Sequence, residues 1–220
     1  MALTSDLPMA RSNSLPARIA WFKIGVFLVA LIPFLRLFWL GYQDELTANP
    51  IEFVTRSTGI WTLVFLCITL AVTPVRRLTG QVWLIRFRRM LGLFAFFYAS
   101  VHFTTYVWFD QWFDVAEIFK DVFKRPFITA GFAAFVLMVP LAVTSNQWSM
   151  RWLKRRWQLL HQLIYLIAPI GLVHFWWHKS GKNDYFEPII YAGVIALLLG
   201  LRLVWRQQAR RAQKARAGDA

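Results

Sequence analysis

Residues 88–110 read RRMLGLFAFFYASVHFTTYVWFD, a nearly uninterrupted apolar segment with a single histidine inside it. Two arginines precede the apolar residues and one aspartate follows them, so charge is confined to the two ends. A helix needs about 20 apolar residues to cross the roughly 30 Å hydrocarbon core of a bilayer. Residues 90–109 reach that length, and they predict a membrane-spanning helix that carries His102 within the bilayer.

Five other segments have the same apolar character. The six predicted spans are Ile19–Leu40, Gly59–Val75, Met90–Phe109, Phe127–Val143, Trp157–Trp177 and Ile189–Trp205. The chain of 220 residues is 58% hydrophobic and 16% charged, whereas a soluble domain is typically about 25% charged. We therefore predict an all-α integral membrane protein, a bundle of six transmembrane helices.

The charge of the segments between the spans predicts their orientation. If the N-terminus is cytoplasmic, 18 of the 25 lysines and arginines lie on the cytoplasmic side, and nine of the 11 acidic residues lie in the outer loops. Loops rich in Lys and Arg stay in the cytoplasm, so we predict that both termini are cytoplasmic. The predicted organisation is a cytoplasmic segment at 1–18, a transmembrane domain at 19–205 and a basic tail at 206–220.

Composition also argues against several functional classes. A net charge of +14 would suit a nucleic-acid-binding protein, but the chain has too few polar residues to form a soluble surface. A single cysteine, Cys67, permits neither an intramolecular disulfide nor a thiolate metal cluster. The sequence has no glycine-rich loop followed by lysine, so nothing in it indicates an ATP-driven pump.

Three of the four histidines lie inside predicted spans, where ionisable side chains are costly and usually functional. By residue count along the helices, His102 and His174 reach a similar depth in the outer half of the bilayer, on two spans that run in the same direction. An iron porphyrin held between two helices needs one imidazole from each at one level, so this pair predicts a haem site. The alternative is that each histidine makes a helix-to-helix hydrogen bond.

His161 marks a second, inner level, because it precedes His174 by about 20 Å of helix. On an ideal helix the two side chains lie about 140° apart, so sharing a face requires a kink, for which Pro169 is the candidate. His178 follows His174 by one turn and is an alternative ligand, although an interfacial role is favoured. A zinc site is not favoured, because histidines spread over this distance cannot converge on one ion.

Three segments of the chain resemble one known family. They are residues 88–110, the segment LAVTSNQWSMRWLKRRWQLLHQLIYLIAPIGLVHFWW at 141–177 and the motif LAVTP at 70–74. Together they resemble the ferric-reductase-like transmembrane superfamily, and more narrowly the MsrQ (formerly YedZ) family. Members of that family are the haem-binding membrane subunits of the bacterial periplasmic protein-methionine-sulfoxide reductase system.

The resemblance implies a b-type cytochrome, with one or two haems, that passes electrons across the inner membrane. The implied donor is the respiratory quinone pool or a cytosolic flavin reductase. The implied acceptor is a periplasmic molybdenum-cofactor reductase, which holds the catalytic site for methionine sulfoxide and repairs oxidised proteins. The resemblance also implies bound FMN.

Carried over to this chain, His102 and His174 match the outer haem ligands and His161 matches the inner-level histidine. Candidate partners of haem propionates or of the FMN phosphate are Arg77, Arg88 and Arg89.

Other members of the superfamily have a second histidine on the third helix, where this chain has Arg88 and Arg89. An inner haem would therefore lack one usual ligand.

Two other functions stay open: a stand-alone transmembrane metalloreductase or superoxide-type cytochrome, and a proton channel or transporter with a histidine relay. The absence of acidic residues inside the predicted spans argues against a relay. The outer loop Asp110–Arg125 predicts a short amphipathic helix on the membrane surface, a candidate docking surface for the partner.

Overall fold

The structure is a computed structural model that describes residues 17–181 and 183–218, and all regular structure in these residues is helical. The predicted segment at 1–18 lies outside the described residues except for its last two positions. The α-helices are α1 (Ala17–Tyr42), α2 (Pro50–Thr79), α3 (Arg88–Thr105), α4 (Val115–Lys124), α5 (Pro126–Val143), α6 (Gln147–Leu153), α7 (Arg155–Leu160), α8 (Ile164–Ser180) and α9 (Phe186–Gly218). Short 3₁₀ or π turns extend two of the spans, at Val82–Phe87, Tyr106–Asp110 and His161–Leu163.

Six helical segments are long and apolar enough to cross a membrane, which confirms the prediction of six spans. They are Arg18–Tyr42, Pro50–Thr79, Val82–Asp110, Pro126–Val143, Arg155–Ser180 and Phe186–Arg216. Helices suit the bilayer because each pairs its own backbone N–H and C=O groups where water is absent.

Two helices extend well past their predicted ends. α2 begins at Pro50, because the side chain of Asn49 caps it and accepts a hydrogen bond from the Glu52 N–H at 3.2 Å. α9 continues without a break through most of the predicted basic tail to Gly218, so it contains 33 residues and is about 50 Å long. The basic residues of the tail therefore belong to the same helix as the last span.

The core forms where two helix pairs meet. α2 packs along α3, α5 packs along α8, and α9 packs against both α2 and α8. Several apolar side chains in the middle of these helices have no exposed surface, namely Leu70, Ala95, Tyr98, Ile167 and Ala168. α1 lies at the edge of the bundle, and most of its large apolar side chains are exposed, which is typical of a helix that faces lipid.

The Tyr98 side chain hydrogen-bonds to two backbone groups of α1 that are left unpaired near Pro33. A proline disturbs the hydrogen bonds of the preceding helical turn. The Tyr98 hydroxyl donates to the carbonyl of Ala30 at 2.7 Å and accepts from the N–H of Phe34 at 3.2 Å. The hydroxyl thus stands between two backbone groups that an unbroken helix would pair directly. Because such groups must be satisfied within the protein in hydrocarbon, Tyr98 attaches α1 to α3.

The fifth span is interrupted near one end. Lys154, which separates α6 from α7, has a φ of 46°. A 3₁₀ turn at His161–Leu163 then separates α7 from α8. Pro169, the candidate for a kink, lies within α8, which continues on both sides of it. The irregular backbone in this span is therefore at His161 itself.

The amphipathic helix predicted in the outer loop is present as α4. Asp121 on α4 accepts hydrogen bonds from the Tyr106 hydroxyl at 2.9 Å and from Gln111 Nε2 at 3.2 Å, and it pairs with Arg125. These bonds attach α4 to the end of α3 and the start of α5.

The two ends of the helix bundle differ in charge. We call the end of the bundle where α4 lies the α4 side. The opposite side, which we call the arginine-rich side, carries Arg76, Arg77, Arg86, Arg88 and Arg89.

A buried lysine joins the last two spans on the α4 side. Lys179, near the end of α8, is 4% exposed and its Nζ contacts Asp184 Oδ2 at 2.5 Å and Glu187 Oε2 at 2.8 Å. Asp184 belongs to the connecting loop, and Glu187 to the first turn of α9. The hydrogen bond from Lys179 lowers the pKa of Asp184 below its ordinary value of 3.8.

Asp184→Asn is expected to lower the melting temperature of the detergent-purified protein at neutral pH. A lowered carboxylate pKa stabilises the fold at pH values above the ordinary pKa, and this stabilisation is lost as the pH falls through the folded-state pKa. The difference between wild type and variant should therefore shrink below about pH 4. Glu117→Gln removes the exposed pair with Lys120 and should have little effect at any pH. Equal effects of the two substitutions would contradict a stabilising role for Asp184.

Candidate cofactor site

His102 on α3 and His174 on α8 lie side by side between the two helix pairs. Their ring centroids are 6.1 Å apart, and the ring planes are inclined at 73°. Both rings are half-buried and face one cavity. The structure thus brings together the two histidines that residue counting assigned to one depth.

Each imidazole is held by a backbone carbonyl of the neighbouring helix. Nδ1 of His102 lies 2.8 Å from the carbonyl oxygen of Thr55 on α2, and Nδ1 of His174 lies 2.6 Å from that of Phe127 on α5. A carbonyl oxygen only accepts hydrogen bonds, so each Nδ1 carries the proton and donates it. Each Nε2 then keeps its lone pair, which is the tautomer that binds a metal while the other nitrogen orients the ring.

Two glycines make room for these hydrogen bonds. In a helix the carbonyl of one residue points towards the residue four positions later, and that residue is Gly59 on α2 and Gly131 on α5. A Cβ at Gly131 would lie 2.7 Å from Nδ1 of His174. A Cβ at Gly59 would lie 3.1 Å from Cε1 of His102. A larger residue at either position would therefore press on the imidazole that the carbonyl holds.

The two halves of the site have the same spacing along the chain. The accepting carbonyl precedes its histidine by 47 residues in both halves, and the glycine precedes it by 43 residues in both. The tetrapeptide LAVT also occurs twice, at 70–73 in α2 and at 141–144 at the end of α5. Sequence reasoning that started from the histidines missed both glycines, and this repeated spacing is the signal that identifies them.

A cavity of about 520 Å³ lies beside the two imidazoles, within the size range of small-molecule sites. It runs along the helices from the α4 side towards the middle of the bundle. The end in the middle of the bundle is apolar, and its lining includes Leu63, Leu66, Ala134, Met138 and Ile167. The end on the α4 side is polar, and its lining includes Arg56, Tyr106, Asp110, Gln111, Arg125 and His178.

The ligand pair and the cavity fit an iron porphyrin. Metal–imidazole bonds are about 2.0–2.1 Å long, so one iron between two Nε2 atoms sets the ring centroids roughly 6 Å apart. The observed 6.1 Å meets that requirement. Among the described residues no three side chains of His, Cys, Asp or Glu converge on one point, so the centre offers two protein ligands. The apolar end of the cavity suits the macrocycle.

His161 lies apart from this pair. Its ring stacks on Trp157 at 3.9 Å, its Nδ1 donates to the carbonyl of the same residue at 3.1 Å, and its Nε2 lies 3.4 Å from the hydroxyl of Ser145. The other three histidines all line the cavity on the α4 side. No second pair of histidines therefore forms at the level of His161. The role of His161 as a haem ligand stays a prediction.

The three arginines selected from the sequence lie on the arginine-rich side. Arg88 and Arg89 begin α3, about 20 Å along that helix from His102. Arg77 lies near the end of α2, and its guanidinium stacks over Trp205 at 4.5 Å. They are therefore separated from the cavity by roughly half the thickness of the bilayer.

Two further arginines on that side are partly buried. Arg202 on α9 donates to the Tyr165 hydroxyl and to the Leu70 carbonyl, each at 2.5 Å. The Nε atoms of Arg202 and Arg76 are buried, and neither has a hydrogen-bond partner in the described part of the chain. Sequence reasoning did not select Arg202, because a basic residue near the cytoplasmic end of a span is common.

Comparison with known proteins gives a consistent result. A family described as ferric reductase like transmembrane component matches residues 58–172. Several relatives carry the name protein-methionine-sulfoxide reductase heme-binding subunit MsrQ. The relative from Herminiimonas arsenicoxydans is 55% identical over 204 residues, which is 92% of this chain and 94% of the relative. The relative from Ralstonia nicotianae is 60% identical over 184 residues, which is 83% of this chain and 85% of the relative. No solved structure shows significant similarity to the chain.

Proposed function

The chain belongs to the ferric-reductase-like transmembrane family and, within it, to the MsrQ haem-binding subunits of protein-methionine-sulfoxide reductases, and on this basis we propose that it is a membrane cytochrome with one b-type haem. The proposed axial ligands of the haem iron are His102 and His174. One observation carries this proposal: two imidazoles from separate helices, each with Nδ1 held by a carbonyl, lie at the spacing that one iron requires.

The side chains of the site favour electron transfer. Bound haem supplies reversible one-electron chemistry at its iron. His102 and His174 would hold the iron from two sides, which would favour electron transfer over binding of oxygen or substrate at the iron. The carbonyls of Thr55 and Phe127 fix both rings in the ligating tautomer. Their hydrogen bonds restrict ring movement, so the two rings would hold a bound haem with little rearrangement.

We propose that both termini are cytoplasmic and that the protein lies in the bacterial inner membrane. The excess of Lys and Arg on the arginine-rich side supports this orientation. His102 and His174 then lie in the half of the bilayer nearest the periplasm, on the same side as α4. The proposed acceptor is a periplasmic molybdenum-cofactor reductase, whose catalytic site repairs methionine sulfoxide in oxidised proteins. The segment at 1–18, the domain at 19–205 and the tail at 206–220 stay the proposed organisation.

We propose that electrons enter from the respiratory quinone pool or from a cytosolic flavin reductase. FMN, if bound, has its best phosphate partners on the arginine-rich side. That side carries Arg77, Arg88 and Arg89, and the unpartnered Nε atoms of Arg76 and Arg202 provide further donors. Guanidinium groups suit phosphate because they offer paired N–H donors with a full charge. A role for His161 at this level, as a ligand or otherwise, belongs to the same proposal.

The proposed electron path can be tested with the purified chain in detergent. Addition of a quinol should produce the absorption bands of reduced haem. Addition of the periplasmic reductase together with a methionine-sulfoxide peptide should then remove those bands, whereas the peptide alone should not. Ferric citrate provides the comparison. If it reoxidises the reduced haem as fast as the periplasmic reductase with its peptide does, a stand-alone metalloreductase is favoured instead. A colourless chain purified from haem-replete cells would contradict both cytochrome functions.

A further inference from the structure

We propose that the two propionates of the bound haem point to the α4 side of the bundle and are held there by Arg56 and Arg125. This inference rests on the proposed haem between His102 and His174. It adds the orientation of the porphyrin and two binding residues that the histidines alone do not determine.

The polarity of the cavity determines the orientation. At the end in the middle of the bundle, Leu66, Met138 and Ile167 are at most 6% exposed and offer no hydrogen-bond donor. A carboxylate buried among such side chains loses its hydration without gaining a partner, which is strongly unfavourable. The porphyrin ring itself is apolar and suits this end. The two propionates must therefore lie at the opposite end of the cavity.

That opposite end carries more positive than negative side chains. The lysines, arginines and acids that line the cavity are Arg56, Arg125 and Asp110. Arg56 contacts Glu52 at 3.3 Å, and both side chains are more than a third exposed. An exposed pair of this kind is weak, so a propionate competes with Glu52 for the Arg56 guanidinium.

Arg125 is fixed at the rim by its own neighbours. Its Nε and Nη2 both donate to Asp121, which also accepts from Tyr106 and Gln111. The Nη1 group of Arg125 takes no part in these bonds, so it remains as a donor for a carboxylate. Asp121 thus holds the guanidinium in place, while only 12% of its own side chain is exposed.

The two arginines are placed in similar ways about the histidine pair. Arg56 directly follows Thr55, whose carbonyl holds His102. Arg125 precedes Phe127, whose carbonyl holds His174, by two residues. One guanidinium therefore lies close to each of the two helices that anchor an axial ligand, as a haem with two propionates requires.

The arginines on the other side of the bundle are too far away for this role. Arg88 and Arg89 lie about 20 Å along α3 from His102, and Arg77 lies about 33 Å along α2 from Thr55. A propionate has only two carbons between the porphyrin and its carboxylate, and it cannot reach across these distances. For a haem at this site the propionate partners are therefore not these arginines, and their role toward an inner haem or FMN stays a prediction.

Removing the carboxylates from the porphyrin tests the inference directly. The chain is purified from haem-deficient cells and titrated with haem and with its dimethyl ester, which lacks both carboxylates, and binding is followed by absorbance. Wild type should bind haem at least about tenfold more tightly than the ester, because hydrogen bonds to charged groups are lost with the ester. In the double variant Arg56→Gln/Arg125→Gln, the ratio of the affinity for haem to the affinity for the ester should fall close to one. The affinity for the ester itself should stay near its wild-type value.

Matched variants separate this result from a general loss of structure. Lys124→Gln removes a charge on the same side but outside the cavity, and it should keep the wild-type preference for haem. Arg125→Lys keeps the charge and should restore part of the preference. A double variant that keeps the full preference, or an equal loss in Arg88→Gln/Arg89→Gln, would overturn the inference while leaving the proposed cytochrome intact. If wild type binds neither porphyrin, the proposed function fails and the inference fails with it.

Discussion

Replacing either His102 or His174 by alanine is expected to abolish haem binding. These two imidazoles are the proposed ligands of the iron, and their centroids lie 6.1 Å apart, so removal of either one leaves the iron with a single imidazole of the pair. The haem content of each purified variant, measured as a pyridine haemochrome per chain, checks this expectation. His161→Ala, which changes the histidine that stacks on Trp157, should retain the wild-type haem content.

A rescue experiment separates loss of a ligand from loss of the fold. His174→Gly leaves space where the imidazole was, and free imidazole in the buffer should restore haem binding. His178 lies one turn further along α8 and also lines the cavity, so His178→Ala tests whether it replaces its neighbour. Normal haem content in His174→Ala combined with loss in His178→Ala would assign the second ligand to His178 and contradict the pair described above.

Gly131→Ala is expected to weaken haem binding by roughly 10–100-fold, the range observed when a group that orients a metal ligand is disturbed. The added Cβ would lie 2.7 Å from Nδ1 of His174 and 2.8 Å from its Cε1, which is well inside van der Waals contact. The ring must move away from the Phe127 carbonyl, and the hydrogen bond that fixes its tautomer is lost. The measurement is the rate at which haem transfers from the purified variant to an excess of apomyoglobin.

Two other glycines provide the controls. The Cβ of Gly59→Ala would lie 3.1 Å from Cε1 of His102, a milder overlap that should give a smaller increase in the rate of haem loss. The Cβ of Gly193→Ala, on α9, would have no neighbour within 4 Å, and that variant should behave as wild type. A rate of haem loss that is the same in all three variants would show that the glycines do not position the imidazoles.

The spans could be predicted because a bilayer imposes a small number of requirements, and these are easy to recognise in a sequence. A helix must be apolar over about 20 residues, and its basic flanks must alternate between the two sides. The ends of the helices were not predicted, because they depend on local features. Asn49 caps α2 ten residues before the predicted apolar segment begins, and α9 continues to Gly218 because its polar residues are good helix formers.

The pairing of His102 with His174 could be predicted because depth in a membrane follows from residue count. Their anchors could not be predicted, because a backbone carbonyl belongs to every residue type. Gly59 and Gly131 were missed because a glycine in a transmembrane helix is common and becomes informative only when its spacing to a histidine is seen to repeat. Arg56 could not be distinguished from the sequence, because a basic residue near the end of a span is common. The turn at His161–Leu163 also has no proline to mark it.

The most direct test of the central claim is the low-temperature EPR spectrum of the oxidised, purified wild-type chain, recorded together with its haem content. We predict one haem per chain in the low-spin state that two imidazole ligands produce. Because the ring planes of His102 and His174 are inclined at 73°, the signal should be the strongly anisotropic type given by crossed imidazoles. A chain without haem, or a high-spin signal from iron with an open axial position, would contradict the claim that these two histidines bind one iron.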